Sequence, residues 1–174
     1  LQKSYAAPKT ALHFEDPFQL LVATILSAQC TATRVNMVTP GLFKKYRTAG
    51  EFATLRQEEL EGEIRSTGFF RNKARSIIGA AQAIAKNHGG VVPQTMEELI
   101  QLPGVGRKTA NCVLGGAFGI NEGVVVDTHV ERLAQRLGLT GKKTAEKIER
   151  DLMEIVPKKE WYDISNMLIL HGRK

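Results

Sequence analysis

Apolar residues recur along this chain at helical spacing, in short runs cut by turn residues. Phe18 to Ala28 is almost continuously apolar after Asp16-Pro17, a cap followed by proline at the first helical position, and this predicts a central buried helix. Val35, Val38, Leu42 and Tyr46 share one face of a second helix, which Pro40 is expected to kink or break. Leu60 and Ile64 mark a short helix that ends near Gly68. Ala74, Ile77, Ile78, Ala81, Ile84 and Ala85 then form a helical stripe stopped by Gly89-Gly90.

Thr95 and Glu98 read as a capping box for a helix running into Pro103. Val113, Leu114 and Ala117 carry another helix toward Gly119, and Val130, Leu133, Ala134 and Leu137 repeat the pattern up to Gly138. Ile148, Leu152 and Ile155 predict a further helix, and Trp161 to Leu170 a last one. Val124 to Val126 is strand-like but too short to build a sheet, so it is expected to connect two helical lobes. There is no sustained heptad, low-complexity tract or internal repeat. The pattern predicts an all-α protein of many short helices.

A chain of 174 residues can bury a core, as one domain or as two small lobes. No apolar run approaches the roughly 20 residues of a membrane span, and no charged-then-apolar leader opens the sequence. It therefore reads as a soluble intracellular protein. Opening at Leu1 and closing on His171-Gly172-Arg173-Lys174, it also reads as a piece of a longer one. Cys30 and Cys112 fall in helical patterns far apart, which favours buried reduced thiols over a disulfide or a two-ligand metal site. Lys and Arg total 24 against 18 acidic residues, a formal charge of +6. That surplus suits a polyanionic partner, and equally an ordinary solubility charge.

The stretch Leu102 to Ala110, Leu-Pro-Gly-Val-Gly-Arg-Lys-Thr-Ala, changes the picture. It ends one helix, turns tightly and starts the next with exposed amides, a place where phosphate binds. Gly104 and Gly106 permit close backbone approach, and a lysine at such an end feels the positive pole of the dipole, which favours the neutral, nucleophilic amine. By itself the Gly-x-Gly also fits a plain helix-turn-helix corner with a solvated basic pair. Lys108 is a candidate nucleophile able to form a Schiff base with a sugar C1′, or else a phosphate-binding lysine. Asp127, nineteen residues on, is a candidate acid-base or electrostatic partner and equally a plain N-cap for the helix that follows.

The hairpin with its lysine, Val126-Asp127-Thr128-His129, Leu26-Ser27-Ala28-Gln29 and Leu168 to Arg173 resemble, together and in order, the endonuclease III family of the helix-hairpin-helix DNA glycosylases. The resemblance implies a two-lobed all-α fold, with residues 10–120 as a six-helix barrel and residues 1–9 joining 121–174 as the second lobe. It implies a bifunctional glycosylase and apurinic/apyrimidinic (AP) lyase that removes oxidised pyrimidines from duplex DNA, flipping the nucleotide out of the stack. Lys108 matches the catalytic lysine and Asp127 the catalytic aspartate. Gln29 matches a glutamine that fills the gap left by the flipped nucleotide, and Phe69 an apolar wedge.

On the same resemblance the hairpin residues Gly104, Val105, Gly106, Arg107 and Thr109 grip the strand, and Arg71 and Lys73, with Arg75, are candidate phosphate contacts. His129 and Arg132 lie one turn apart beside Asp127, placed to orient its carboxylate or bind phosphate. The implied partner is double-stranded DNA with damaged bases or abasic sites, met by a monomer, in the cytoplasm or nucleoid and away from membranes. Family members carry a C-terminal loop of four cysteines for a [4Fe-4S] cluster. Neither Cys30 nor Cys112 matches a ligand, so no metal is expected on these residues and the cluster only in the full-length protein. Ala32, where relatives often have aspartate, is a second departure and bears on substrate range. Two other readings remain: a monofunctional mismatch glycosylase, which would generally lack Lys108, and a non-catalytic DNA-binding module, which would not need Asp127.

Overall fold

The computed structural model describes residues 8–173, and those residues contain helices and no strand. Helix α1 (Pro17–Leu26) starts as its sequence predicts: the Asp16 carboxylate accepts from the Gln19 N–H at 2.9 Å and Pro17 opens the first turn. It is buried along nearly its whole length and ends two residues before Ala28. Helix α2 (Ala32–Lys45) is a single helix with Pro40 inside it. The expected break is absent because Pro40 lies on the exposed side, where water can hydrate the carbonyl that proline leaves unpaired.

Helix α3 (Ala49–Ala53) was hidden by its five-residue length, although the capping box between Thr48 and Glu51 that starts it is readable. The two backbone N–H groups of Arg47 and Thr48 that Glu51 accepts hold its carboxyl below the usual glutamate range. Helix α4 (Gln57–Ile64) runs through a 3₁₀ turn to Gly68, and α5 (Phe70–Asn87) follows. The α5 stripe is buried at Ala74, Ile77, Ile78, Ala81 and Ile84, while Ala85 faces outward. Helix α6 (Met96–Leu99) is shorter than expected: Thr95 caps the Glu98 N–H, but the Glu98 carboxylate takes the Thr95 hydroxyl instead of completing the box. Helix α7 (Arg107–Val113) passes into a π turn over Leu114–Phe118.

Contacts divide the chain into two compact units. In the first, Ala11–Val113, helix α5 packs on α3, α4 and α1, and α1 packs on α7. Its core includes Leu20, Leu21, Leu26, Phe52, Leu60, Ile64, Ile77 and Ile84, with Phe52 edge-on to Phe18 and Tyr46. The second unit runs from Leu114 and takes in residues 8–10. It contains α8 (Thr128–Arg136), α9 (Ala145–Ile155) and α10 (Trp161–Gly172), with α8 packed on both other helices. Val124, Val126, Val130, Ala134, Ile148, Leu152 and Leu168 form its core. Gly115 is required in the π turn, since a Cβ there would lie 2.2 Å from the Tyr162 ring.

Candidate functional site

The hairpin is shaped by buried apolar residues beneath exposed polar ones. Leu102 and Val105 are buried, and the Val105 N–H closes the turn on Leu102 O at 3.1 Å. Gly104 has φ +75°, and a Cβ on it would collide with Ser76 of α5 at 2.4 Å. Pro103 presses on Gly79, one turn further along α5. A Cβ at Gly106 would meet nothing within 4 Å, so no neighbour in the chain demands glycine there. Arg107 and Lys108 are exposed on the first turn of α7 and Thr109 is half-buried. The expectation of a DNA contact at Val105 is corrected: its side chain is interior and its N–H is used, so it builds the turn that presents its neighbours.

Asp127 is the N-cap of α8 and half-buried; its Oδ1 accepts from the His129 and Val130 N–H groups, both at 2.9 Å. The preceding Val124 to Val126 segment is buried and non-helical, pinned by the Val125 N–H donating to Ser165 Oγ at 2.9 Å. His129 and Arg132 do not turn their side chains to that carboxylate, against expectation. His129 Nδ1 lies 3.1 Å from Gly172 O, and Arg132 Nη2 donates to the same carbonyl at 2.5 Å. A carbonyl only accepts, so the contact puts the imidazole proton on Nδ1. Both side chains therefore close the C-terminal end of α10, where helix carbonyls lack intrahelical donors. Lys108 belongs to the first unit, and Asp127, His129 and Arg132 to the second.

Gln29 and Phe69 are the non-glycine residues at positive φ among those described, at +50° and +47°. Such conformations cost on the order of 1–3 kcal/mol each and gather at functional sites. Both side chains are outside the core, Phe69 at 62% exposure. Phe70, by contrast, is partly covered, with the Arg65 and Arg71 guanidinium carbons 5.8 and 5.6 Å from its ring centre. Arg71 and Arg75 are exposed. Sequence reasoning missed the left-handed backbone because neither glutamine nor phenylalanine signals it, unlike glycine, asparagine or aspartate.

Lys73 is the clearest correction. It is 5% exposed, and its Nζ donates to Leu26 O at 2.8 Å and Thr67 O at 2.7 Å, so it offers no charge to phosphate. Burial pushes its pKa below the usual lysine value, with neighbouring Cys30 opposing the shift. A signal was available: Lys73 lies four residues before Ile77, on the stripe that continues to Ile84. Both cysteines are only partly buried, against expectation, and Cys30 lies in the turn before α2 instead of within a helix; neither is in a disulfide.

Residues 22–158 match the HhH-GPD superfamily of base excision DNA repair proteins. Endonuclease III of Synechocystis sp. is 56% identical over 173 residues, 99% of this chain and 79% of that protein. The chain belongs to the endonuclease III family. Endonuclease III of Bacillus subtilis is 46% identical over 159 residues, 91% of this chain and 72% of the relative. Two solved endonuclease III structures, a non-covalent DNA complex and a trapped covalent intermediate with DNA, superpose with TM-score 0.95 at 44% identity. Each covers 99% of this chain; the chain covers 80% and 81% of theirs. The all-helical architecture is that of the family. A cluster of the endonuclease III kind needs four thiolates. This chain has two cysteines, and no group of three or more His, Cys, Asp or Glu among the described residues could hold a metal ion. These residues do not fit the cluster. No helix among them is long and apolar enough to cross a membrane.

Proposed function

We propose that this chain is a bifunctional DNA glycosylase and AP lyase that removes oxidised pyrimidines from duplex DNA. The observation that carries the reading is Lys108, an exposed amine on the first turn of α7, directly behind a hairpin whose Gly106 has no internal reason to be glycine. The 44% identical endonuclease III trapped covalently on DNA supports it. The Gly104 to Gly106 turn leading into the start of α7, with the exposed Lys108 on its first turn, suits a backbone phosphate. Arg107, Thr109 and Arg71 add contacts along the strand.

The chemistry follows from the amine. Lys108 Nζ, as the free base, bonds to C1′ while the glycosidic bond breaks and its electron pair leaves with the base, which takes up a proton. Loss of a proton from nitrogen gives the aminal, whose nitrogen pair then opens the sugar: the C1′–O4′ bond breaks with its pair on O4′, which takes up a proton, and C1′=Nζ forms as the protonated imine. Removal of a C2′ proton then expels the 3′ phosphate oxygen with the C3′–O pair, and water hydrolyses the imine to free Lys108. The Asp127 carboxylate, held in one orientation by its cap, stabilises positive charge as it develops on the sugar. Gln29 enters the space vacated by the flipped nucleotide, and Phe69 wedges into the stack.

Borohydride reduction in the presence of abasic or thymine-glycol duplex tests this. The wild-type chain is expected to give a covalent complex that Lys108→Ala abolishes. Absence of a complex on every abasic and oxidised substrate overturns the proposal. A DNA-binding module without catalysis would instead trap no substrate, and Asp127→Asn would leave its DNA affinity unchanged.

A further inference from the structure

We propose that Lys73 is a positioning residue for lesion recognition, its buried ammonium clasping the Gln29 turn to the Phe69 turn through Leu26 O and Thr67 O. The inference rests on the glycosylase reading and deepens it. Leu26 is the last residue of α1 and Thr67 the last of the 3₁₀ turn, so both accepting carbonyls sit where a helix has run out of its own donors. Each lies a few residues before a non-glycine residue at positive φ: Gln29 follows Leu26 by three positions and Phe69 follows Thr67 by two. Lys73 also holds the second turn by its backbone, its N–H donating to Phe69 O at 3.1 Å.

The two turns are separated by the whole of α2, α3 and α4 in sequence, and their strained residues point exposed side chains outward. A buried ammonium is costly unless its donors are used, so a cation at this place is a poor choice for packing alone. Methionine would fill the volume without that cost. What the ammonium adds is a fixed distance between two chain segments, because both carbonyls must meet one nitrogen. A gap-filling Gln29 and a wedging Phe69 act on one duplex together, and they need that common frame.

The test is a double-mutant cycle on the full chain. Lys73→Met is expected to slow base removal from thymine-glycol duplex by about tenfold, in line with the cost of slight misplacement. Borohydride trapping on single-stranded abasic DNA, which offers no stack to wedge and no partner base, should stay within about twofold of wild type. In a Gln29→Ala/Phe69→Ala background, Lys73→Met should have little further effect on the duplex. Equal losses on duplex and single strand, or fully additive effects in the cycle, overturn the proposal. Should Lys73→Met fail to fold, Lys73→Arg, which keeps the charge but spreads its donors over a planar fork, enters the same cycle with the same criteria. If the wild-type chain traps no substrate, the glycosylase reading fails instead. The clasp is then judged by hydrogen exchange, where Lys73→Met must speed the amides of both turns together and speeding of one alone refutes it.

Discussion

Asp127 spends Oδ1 on two backbone N–H groups of α8, so a structural duty and a chemical one rest on the same carboxylate and have to be separated by the choice of substitution. Asparagine keeps the cap acceptor and removes the charge, whereas alanine removes both. Asp127→Asn is therefore expected to unfold at nearly the wild-type temperature while base excision falls by about a hundredfold or more. Asp127→Ala should lose the same activity and about 1 kcal/mol of stability in addition. Denaturant unfolding and single-turnover excision on thymine-glycol duplex check both. Equal activity of Asp127→Asn and wild type would leave the cap as the residue's whole role. At this scale the proposed reactive pair can be named from the sequence because the hairpin lysine and the aspartate stand at the spacing the family resemblance implies. The surroundings were less legible: His129 and Arg132 look from sequence like partners of the carboxylate, yet a distant carbonyl, Gly172 O, claims both side chains. Sequence proximity on a helix does not reveal what packs against its end.

Helix α5 organises the elements of the first unit that face the proposed substrate. Its first turn carries Phe69 and Lys73, and its middle seats the hairpin through Ser76 and Gly79. The two hairpin glycines are identical in sequence and differ in what they need. Gly104→Ala meets Ser76 at 2.4 Å with a left-handed backbone, so a loss of roughly 1–3 kcal/mol is expected from overpacking and strain. Gly106→Ala meets nothing within the chain and should leave the unfolding midpoint unchanged while weakening binding to abasic duplex. Calorimetry beside a binding titration reads the contrast; a Gly106→Ala variant with unchanged affinity would remove Gly106 from the interface. The helical stripes of α1 and α5 were legible because apolar periodicity fixes which face is buried. Helix α3 was not, because five residues hold barely one turn of pattern. The unbroken α2 escaped too, since a proline's effect depends on whether its orphaned carbonyl reaches water.

For the whole chain the formal charge of +6 measures attraction to a polyanion but not which cations touch it. Counterion release makes that distinction measurable, since only a cation that neutralises a phosphate contributes to the slope of log affinity against log salt. Arg71 and Arg107 are exposed; Lys73 is interior and bound to two carbonyls. Binding to undamaged duplex should therefore fall steeply with salt. Arg71→Ala and Arg107→Ala should each lower the slope by about 1, and Lys73→Met should leave it unchanged. Fluorescence titrations over a range of potassium chloride concentrations decide the matter. A shallower slope for Lys73→Met would mean that its ammonium reaches phosphate when DNA is bound, which requires both carbonyl bonds to break and the two turns to separate. An unchanged slope combined with slower excision places its effect in how the recognising side chains are held, apart from the charge that brings DNA to the protein.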